Sequence, residues 1–295
     1  MDAVKGRIAV VAGGGQGMGR ATALLLAAEG AKVVINDIAV LKADLVVEEI
    51  IAAGGEAVAN YDDISTMEGG EKIIKQCVDT YGKIDILAIV AGIMNRKTFY
   101  EEQEEDWDRV MNVNVKGYFS LTHAAAPYMR DQGYGRIVMY SSKGAFGNGK
   151  SAVYSASKAA VMGFVAELGY ELAPDGINVN CIFPSAVTTL FPGSKEAYGG
   201  TPKPSPATPD MVAPMTVYLC SETCSCTGEY FYIGGCDVGL YPRERKPLGL
   251  IRKGNEEKWT IEELSNMIPE TFGWYLETKQ AAASNKYAGT AAAAK

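Results

Sequence analysis

The run Arg7-Ile-Ala-Val-Val-Ala12-Gly13-Gly-Gly-Gln-Gly17-Met-Gly19 decides the fold. Residues 8–12 are continuously apolar, as a strand buried on both faces would be. Glycines crowd the next positions, and a helical pattern covers 17–29. A glycine-rich turn between strand and helix lets backbone approach a pyrophosphate closely. The helix N-terminus then offers free N–H groups and partial positive charge to it. Gly13, Gly17, Met18 and Gly19 are therefore the expected phosphate-side contacts. Asp37 directly follows the next strand, 32–36. A carboxylate there accepts hydrogen bonds from adenosine ribose hydroxyls and repels a 2′-phosphate. Neither Gln16 nor Asn36 adds positive charge. NAD(H) is expected over NADP(H).

Outward from this turn, strand patterns (8–12, 32–36, 56–61, 84–90, 136–141, 177–183) alternate with helix patterns (17–29, 41–53, 67–81, 104–129, 151–173). Gly30, Gly54-Gly55, Gly82, Gly133 and Gly176 mark the joints, as helix stops do. Such βαβ repetition implies an α/β fold with one doubly wound parallel sheet, a Rossmann fold, with helices on both faces. The alternation breaks at 188–209, a loop with five prolines. A helix over 210–220 and a strand over 230–233 follow. We read residues 1–240 as the catalytic domain. Residues 241–279 form an extension with a helix starting near Trp259, and 280–295 an Ala-rich disordered tail.

The chain has 295 residues, 47% hydrophobic and 21% charged, with a net charge of −7. That argues against a basic nucleic-acid surface. No apolar run approaches the ~20 residues of a membrane helix, and no leader is visible at the N-terminus. A cytosolic protein without membrane association is expected. The six cysteines are scattered apart from Cys224-Ser-Cys226, which alone makes a poor metal site; no metal is expected.

Tyr154 and Lys158 lie four apart in a helical pattern, one turn above each other. A tyrosine hydroxyl has an ordinary pKa of about 10, and bringing it to neutrality takes about 4 kcal/mol. A neighbouring ammonium favours the phenolate, so the pair is expected to make a general acid and base at working pH.

These residues together resemble the short-chain dehydrogenase/reductase family, over residues 5–240. The family motif T-G-x-x-x-G-x-G appears here as Ala12-Gly13 with Gly17-Met18-Gly19. Asp63-Ile64 matches the acidic–apolar pair set against adenine. Ile89-Val90-Ala91-Gly92 stands for Asn-Asn-Ala-Gly, keeping the close approach at Ala91 and Gly92 but neither asparagine. Pro184-Ser185-Ala-Val187-Thr-Thr189 follows the sixth strand, so Pro184, Val187 and Thr189 are expected at the nicotinamide. Gly234-Gly235 matches a C-terminal glycine pair. The resemblance implies a tetrad of Asn114, Ser142, Tyr154 and Lys158. Tyr154 exchanges the proton, Ser142 holds the substrate oxygen, Lys158 binds the nicotinamide ribose, and Asn114 orders a proton relay. Counting thirteen residues back from Tyr154 gives Ser141 instead; register at the strand end favours Ser142.

The implied reaction is hydride transfer between NAD and a secondary alcohol or ketone. Met94, Phe146, Leu190 and Phe191, with Ser142 and Tyr154, are expected around the substrate. Their apolar character suits a bulky hydrophobic alcohol such as a hydroxysteroid. The alternative is a 3-hydroxyacyl-CoA or a cyclic alcohol, with Arg252 and Lys253 as a basic rim. A remote alternative is an inactive NAD-binding protein. The resemblance also implies a homodimer or homotetramer. His123 and the three tryptophans are read as packing residues.

Overall fold

Every residue of β1 (Ile8–Ala12) is buried, because helices cover both faces of the strand it starts. Ile8, Val10 and Ala12 point into one core cluster and Ala9 and Val11 into the other. This is the period-2 alternation of a two-sided sheet. We analysed a computed structural model that describes residues 2–147, 151–187 and 207–242. The chain divides into two units, Met1–Arg243 and Glu244–Lys295; the described residues fall in the first. Thr189, Leu190, Phe191, Arg252, Lys253 and the predicted extension and tail lie outside the described residues.

In chain order the strands after β1 are β2 (Lys32–Asn36), β3 (Glu56–Asn60), β4 (Ile86–Ile89), β5 (Gly135–Tyr140), β6 (Ile177–Ser185), β7 (Tyr230–Gly234) and β8 (Asp237–Tyr241). They form one sheet in the order β3-β2-β1-β4-β5-β6-β7-β8. The helices are α1 (Gly17–Ala28), α2 (Val40–Ala52), α3 (Met67–Tyr81), α4 (Glu104–Met111), α5 (Gly117–Asp131), α6 (Ala152–Glu171) and α7 (Ala213–Cys220). Core residues of α1, α2 and α7 cover one face, and those of α3, α5 and α6 the other. The strand order reverses between β1 and β4, and open α/β sheets bind ligands at such a switch point.

Two elements differ from expectation. β8 pairs antiparallel to β7, so the sheet is parallel only through β7. Gly235, at φ +60°, turns the chain back. Val238 and Leu240 stay exposed on this edge, so β8 has none of the continuous buried pattern that marked the others. The helix expected over 104–129 is broken. Asn112–Lys116 is a π-type turn between α4 and α5. Such a bulge adds one residue to a turn and re-aims its side chains; here it carries Asn114.

Candidate active site

The turn after β1 is packed against its neighbours with no room for side chains. Gly13 adopts φ +78°, and a Cβ there would stand 2.7 Å from the Ala91 backbone. Gly13 N and Gly14 N both donate to Asn36 O, at 2.8 and 2.9 Å. Gly15 N donates to Asp37 Oδ2 at 3.1 Å, and Asp37 Oδ1 accepts from Ala39 N. The Asp37 carboxylate is thus fixed at the rim. A cleft runs from Gly13, Gly17 and Met18 past Asp37 and Ile64 to Ala91 and Gly92. The crowded glycine cradle at the N-terminus of α1 fits a dinucleotide diphosphate, with Asp37 placed for the ribose end.

The wall of the cleft at Asp62, Asp63 and Ile64 rests on a buried amide network. Asn36 Nδ2 donates to Asn60 Oδ1 at 2.8 Å and to Asp62 O at 2.9 Å. Asn60 Nδ2 in turn donates to Asp62 Oδ2 and Gln76 Oε1. This locks the tips of β2 and β3 beneath Asp63-Ile64. The Asp63 carboxylate accepts from Ser65 N and Oγ, starting the turn into α3. Ile64 is buried, and its carbonyl accepts from Ser120 Oγ at 2.8 Å.

At the other end, Met18, Val90 and Gly92 border a smaller pocket with Ser142, Tyr154, Lys158 and Pro184. The two serines part company. Ser141 Oγ donates to Lys158 O at 2.7 Å and is buried against α6. Ser142 Oγ accepts from Gly144 N at 3.0 Å, and the Ser142 hydroxyl hydrogen-bonds Tyr154. Asn114 braces the loop after β4: it accepts from Ile93 N at 2.8 Å and donates to Ile93 O at 2.9 Å and Ser157 Oγ at 3.0 Å. Ser157 Oγ donates on to Tyr154 O. The side chain of Asn114 is therefore committed to backbone and to α6.

Burial acts on both members of the pair. Burial pushes the Tyr154 hydroxyl above its ordinary range, and its bond to Ser142 offsets this only in part. Lys158 Nζ lies 5.9 Å from the Tyr154 ring centroid. Burial also drives Lys158 down to about 8. The chain's own ammonium does not by itself hold Tyr154 as a phenolate, because both groups lose hydration in the same dry pocket.

Residues 7–197 match the family model described as short chain dehydrogenase. The chain belongs to this family. It is 38% identical over 263 residues to the peroxisomal multifunctional enzyme type 2 of Mus musculus, covering 85% of this chain but only 35% of that longer protein. It is 34% identical over 239 residues to a hydroxy(phenyl)methylsuccinyl-CoA dehydrogenase subunit of Thauera aromatica, covering 79% of this chain and 96% of that one. The crystal structure of a short chain dehydrogenase from Mycobacterium avium superposes with TM-score 0.81 at 33% identity, over 92% of this chain and 96% of that one. The protein is accordingly an oxidoreductase with the Rossmann architecture of its family.

This short chain dehydrogenase also carries site residues that the motifs did not single out. Lys42 Nζ donates to Gln16 Oε1 at 2.6 Å, placing a cation at the rim near Asp37. It lies five residues beyond Asp37, on the first turn of α2. Tyr118, four residues after Asn114, contacts Lys158. Of the expected substrate wall, Met94 is half-buried, while Phe146 stacks on Phe183 at 5.7 Å and against Tyr241 at 5.4 Å. Part of the Phe146 ring is thus packed on its own domain. Among the described residues no His, Cys, Asp or Glu cluster is suited to a metal, and no helix is long and apolar enough to cross a membrane.

Proposed function

We propose that the protein is an NAD(H)-dependent dehydrogenase of hydroxyacyl-CoA thioesters. The observation that carries the reaction is the convergence of Ser142, Tyr154 and Lys158 beside Gly92, which lines both the small pocket and the dinucleotide cleft. Bound NAD would supply the hydride acceptor and a positive charge near Tyr154. Tyr154 takes the hydroxyl proton in oxidation and returns it in reduction. Ser142 donates to the substrate oxygen and stabilises its growing charge. Lys158 favours the phenolate and offers its remaining N–H to the cofactor side. Asn114 keeps the loop at Ile93 and the backbone at Tyr154 in register.

The CoA reading is supported by the relative from Thauera aromatica, whose name specifies a hydroxy-bearing succinyl-CoA. A hydroxysteroid rested on the apolar residues Leu190, Phe191 and Phe146. The first two lie outside the described residues, and the third is packed on Phe183. The test is a side-by-side measurement of kcat/KM for 3-hydroxybutyryl-CoA, a longer 3-hydroxyacyl-CoA and a hydroxysteroid. Preference for the thioesters by about 100-fold or more is expected. A steroid turned over faster would overturn the CoA assignment.

The preference for NAD rests on Asp37. Asp37→Ala is expected to weaken NAD binding about tenfold and bring NADP to within about tenfold of NAD, since Lys42 is then unopposed at the rim. Calorimetric titration of both cofactors reads this directly; an unchanged preference would remove Asp37 from the role. Subunit pairing is expected through α4 and α5, where Trp107, Phe119 and Tyr128 are exposed.

A further inference from the structure

We propose that Tyr118 is a positioning residue for Lys158: its buried hydroxyl accepts a hydrogen bond from the ammonium and fixes that cation at the tips of β4 and β5. Tyr118 is 1% exposed. Its oxygen lies 3.2 Å from Lys158 Nζ and 3.0 Å from each of two carbonyls, Ala91 O and Tyr140 O. The single hydroxyl proton serves one carbonyl at a time, leaving a lone pair for the ammonium. Lys158 Nζ also donates to Tyr140 O at 2.8 Å. Two of its three N–H groups are thereby taken. A Cβ placed on Gly92 would stand 3.2 Å from Nζ, so the Gly92 wall of the cleft lies against the ammonium. The hydroxyl also ties the ends of β4 and β5 together, just past Ile89-Val90, where the resemblance leads one to look for asparagines.

Packing alone does not account for this hydroxyl. The ring belongs to the core cluster, and phenylalanine would fill the same space. The groups facing Lys158 are Tyr118 from α5, the Tyr140 carbonyl from β5, Tyr154 from its own helix and Cys181 from β6. Burial drives Cys181 up to about 12 and Tyr118 well above its ordinary range. Both stay neutral at working pH. No carboxylate pairs with Lys158 among the described residues. The ammonium is thus held by neutral dipoles, and losing one of two matters.

The inference rests on reading Lys158 as the partner of Tyr154, but its test needs no substrate. In the chain without cofactor, the 13Cε resonance of Lys158, assigned with Lys158→Met, should titrate near 8, well below exposed lysines. Tyr118→Phe removes an acceptor that favours the charged form, so the midpoint should move to lower pH by about one unit. An unmoved midpoint in a folded Tyr118→Phe protein overturns the proposal. A wild-type measurement guards against a variant that does not fold. The 13Cζ signal of Tyr118 should shift with the same midpoint as Lys158, and its indifference to that titration overturns the proposal equally. Turnover surviving Tyr154→Phe would instead sink the acid–base reading, which keeps the two failures apart.

Discussion

Tyr154→Phe is expected to lower turnover by about 10²–10⁴-fold while NAD binding stays within about twofold. The side chain is 2% exposed and its ring fills a packed space. Phenylalanine keeps that volume, so no cavity opens. What disappears is one hydroxyl and its bond with Ser142. The residues proposed to cradle the diphosphate and ribose, Gly13 to Gly19 and Asp37, lie in the turn after β1, the start of α1 and just past β2, and Tyr154 does not line that cleft. A large fall in kcat beside an unchanged dissociation constant is the signature of a group used in the chemical step only. Steady-state kinetics and calorimetry on the same preparation measure both. Near-normal turnover would remove Tyr154 from the proton transfer.

The burial of Tyr154 and Lys158 gives this expectation a pH dependence. Burial moves the two groups in opposite directions, the tyrosine up and the lysine down to about 8. Below that value Lys158 is charged and supports the phenolate; above it the support is withdrawn. Turnover should therefore gain from rising pH only until Lys158 begins to lose its proton.

Most of the sheet was readable because burial on two faces favours apolar runs, most fully in β1, β4 and β5, where every position is buried. β8 escaped because none of its positions is buried and Asp237 and Gly239 interrupt its apolar residues. The π-type turn escaped because it is only five residues long and continuous with helix on both sides; it carries Asn114, whose side chain bonds Ile93. In the site, glycine spacing, Asp37 and the Tyr154–Lys158 pair, each weak alone, carry a local signal when read together. The Asn36–Asn60–Gln76 network does not, since its members lie up to 40 positions apart and meet only when β2, β3 and α3 pack. Between Ser141 and Ser142, register at the strand end already favoured Ser142, and the geometry shows the two hydroxyls in different surroundings. Adjacent residues on a strand point to opposite faces, and Ser141 is the one turned to the α6 backbone.

Gly19→Ala is the second change with a large expected effect. A Cβ at Gly19 would lie 1.9 Å from Gly13 O and 2.7 Å from its carbonyl carbon. Ordinary carbon–oxygen contact is more than an ångström longer, so either the turn or α1 must give way. The turn cannot retreat, because Gly13 already abuts Ala91 and is bonded to Asn36 O. Nor is α1 free: Leu26 is fully buried, and Thr22 Oγ1 lies 3.2 Å from Tyr140 OH. Methyl insertion here acts as overpacking, which costs about 1–3 kcal/mol. The displaced helix N-terminus no longer aims its N–H groups at the diphosphate. We expect the dissociation constant for NAD to rise at least ~100-fold and the melting temperature to fall by several degrees, at roughly 2–4 °C per kcal/mol. At saturating cofactor kcat should fall less, since Ser142, Tyr154 and Lys158 hang on β5 and α6. Gly163→Ala supplies the opposite sign from the same chemical change. That position is mid-helix, exposed, and has nothing within 4 Å of an added Cβ, so alanine there should stabilise by about 0.5–1 kcal/mol. If Gly19→Ala bound NAD like the wild type while Gly163→Ala behaved as expected, the close approach of α1 to the first turn would not be what holds the cofactor.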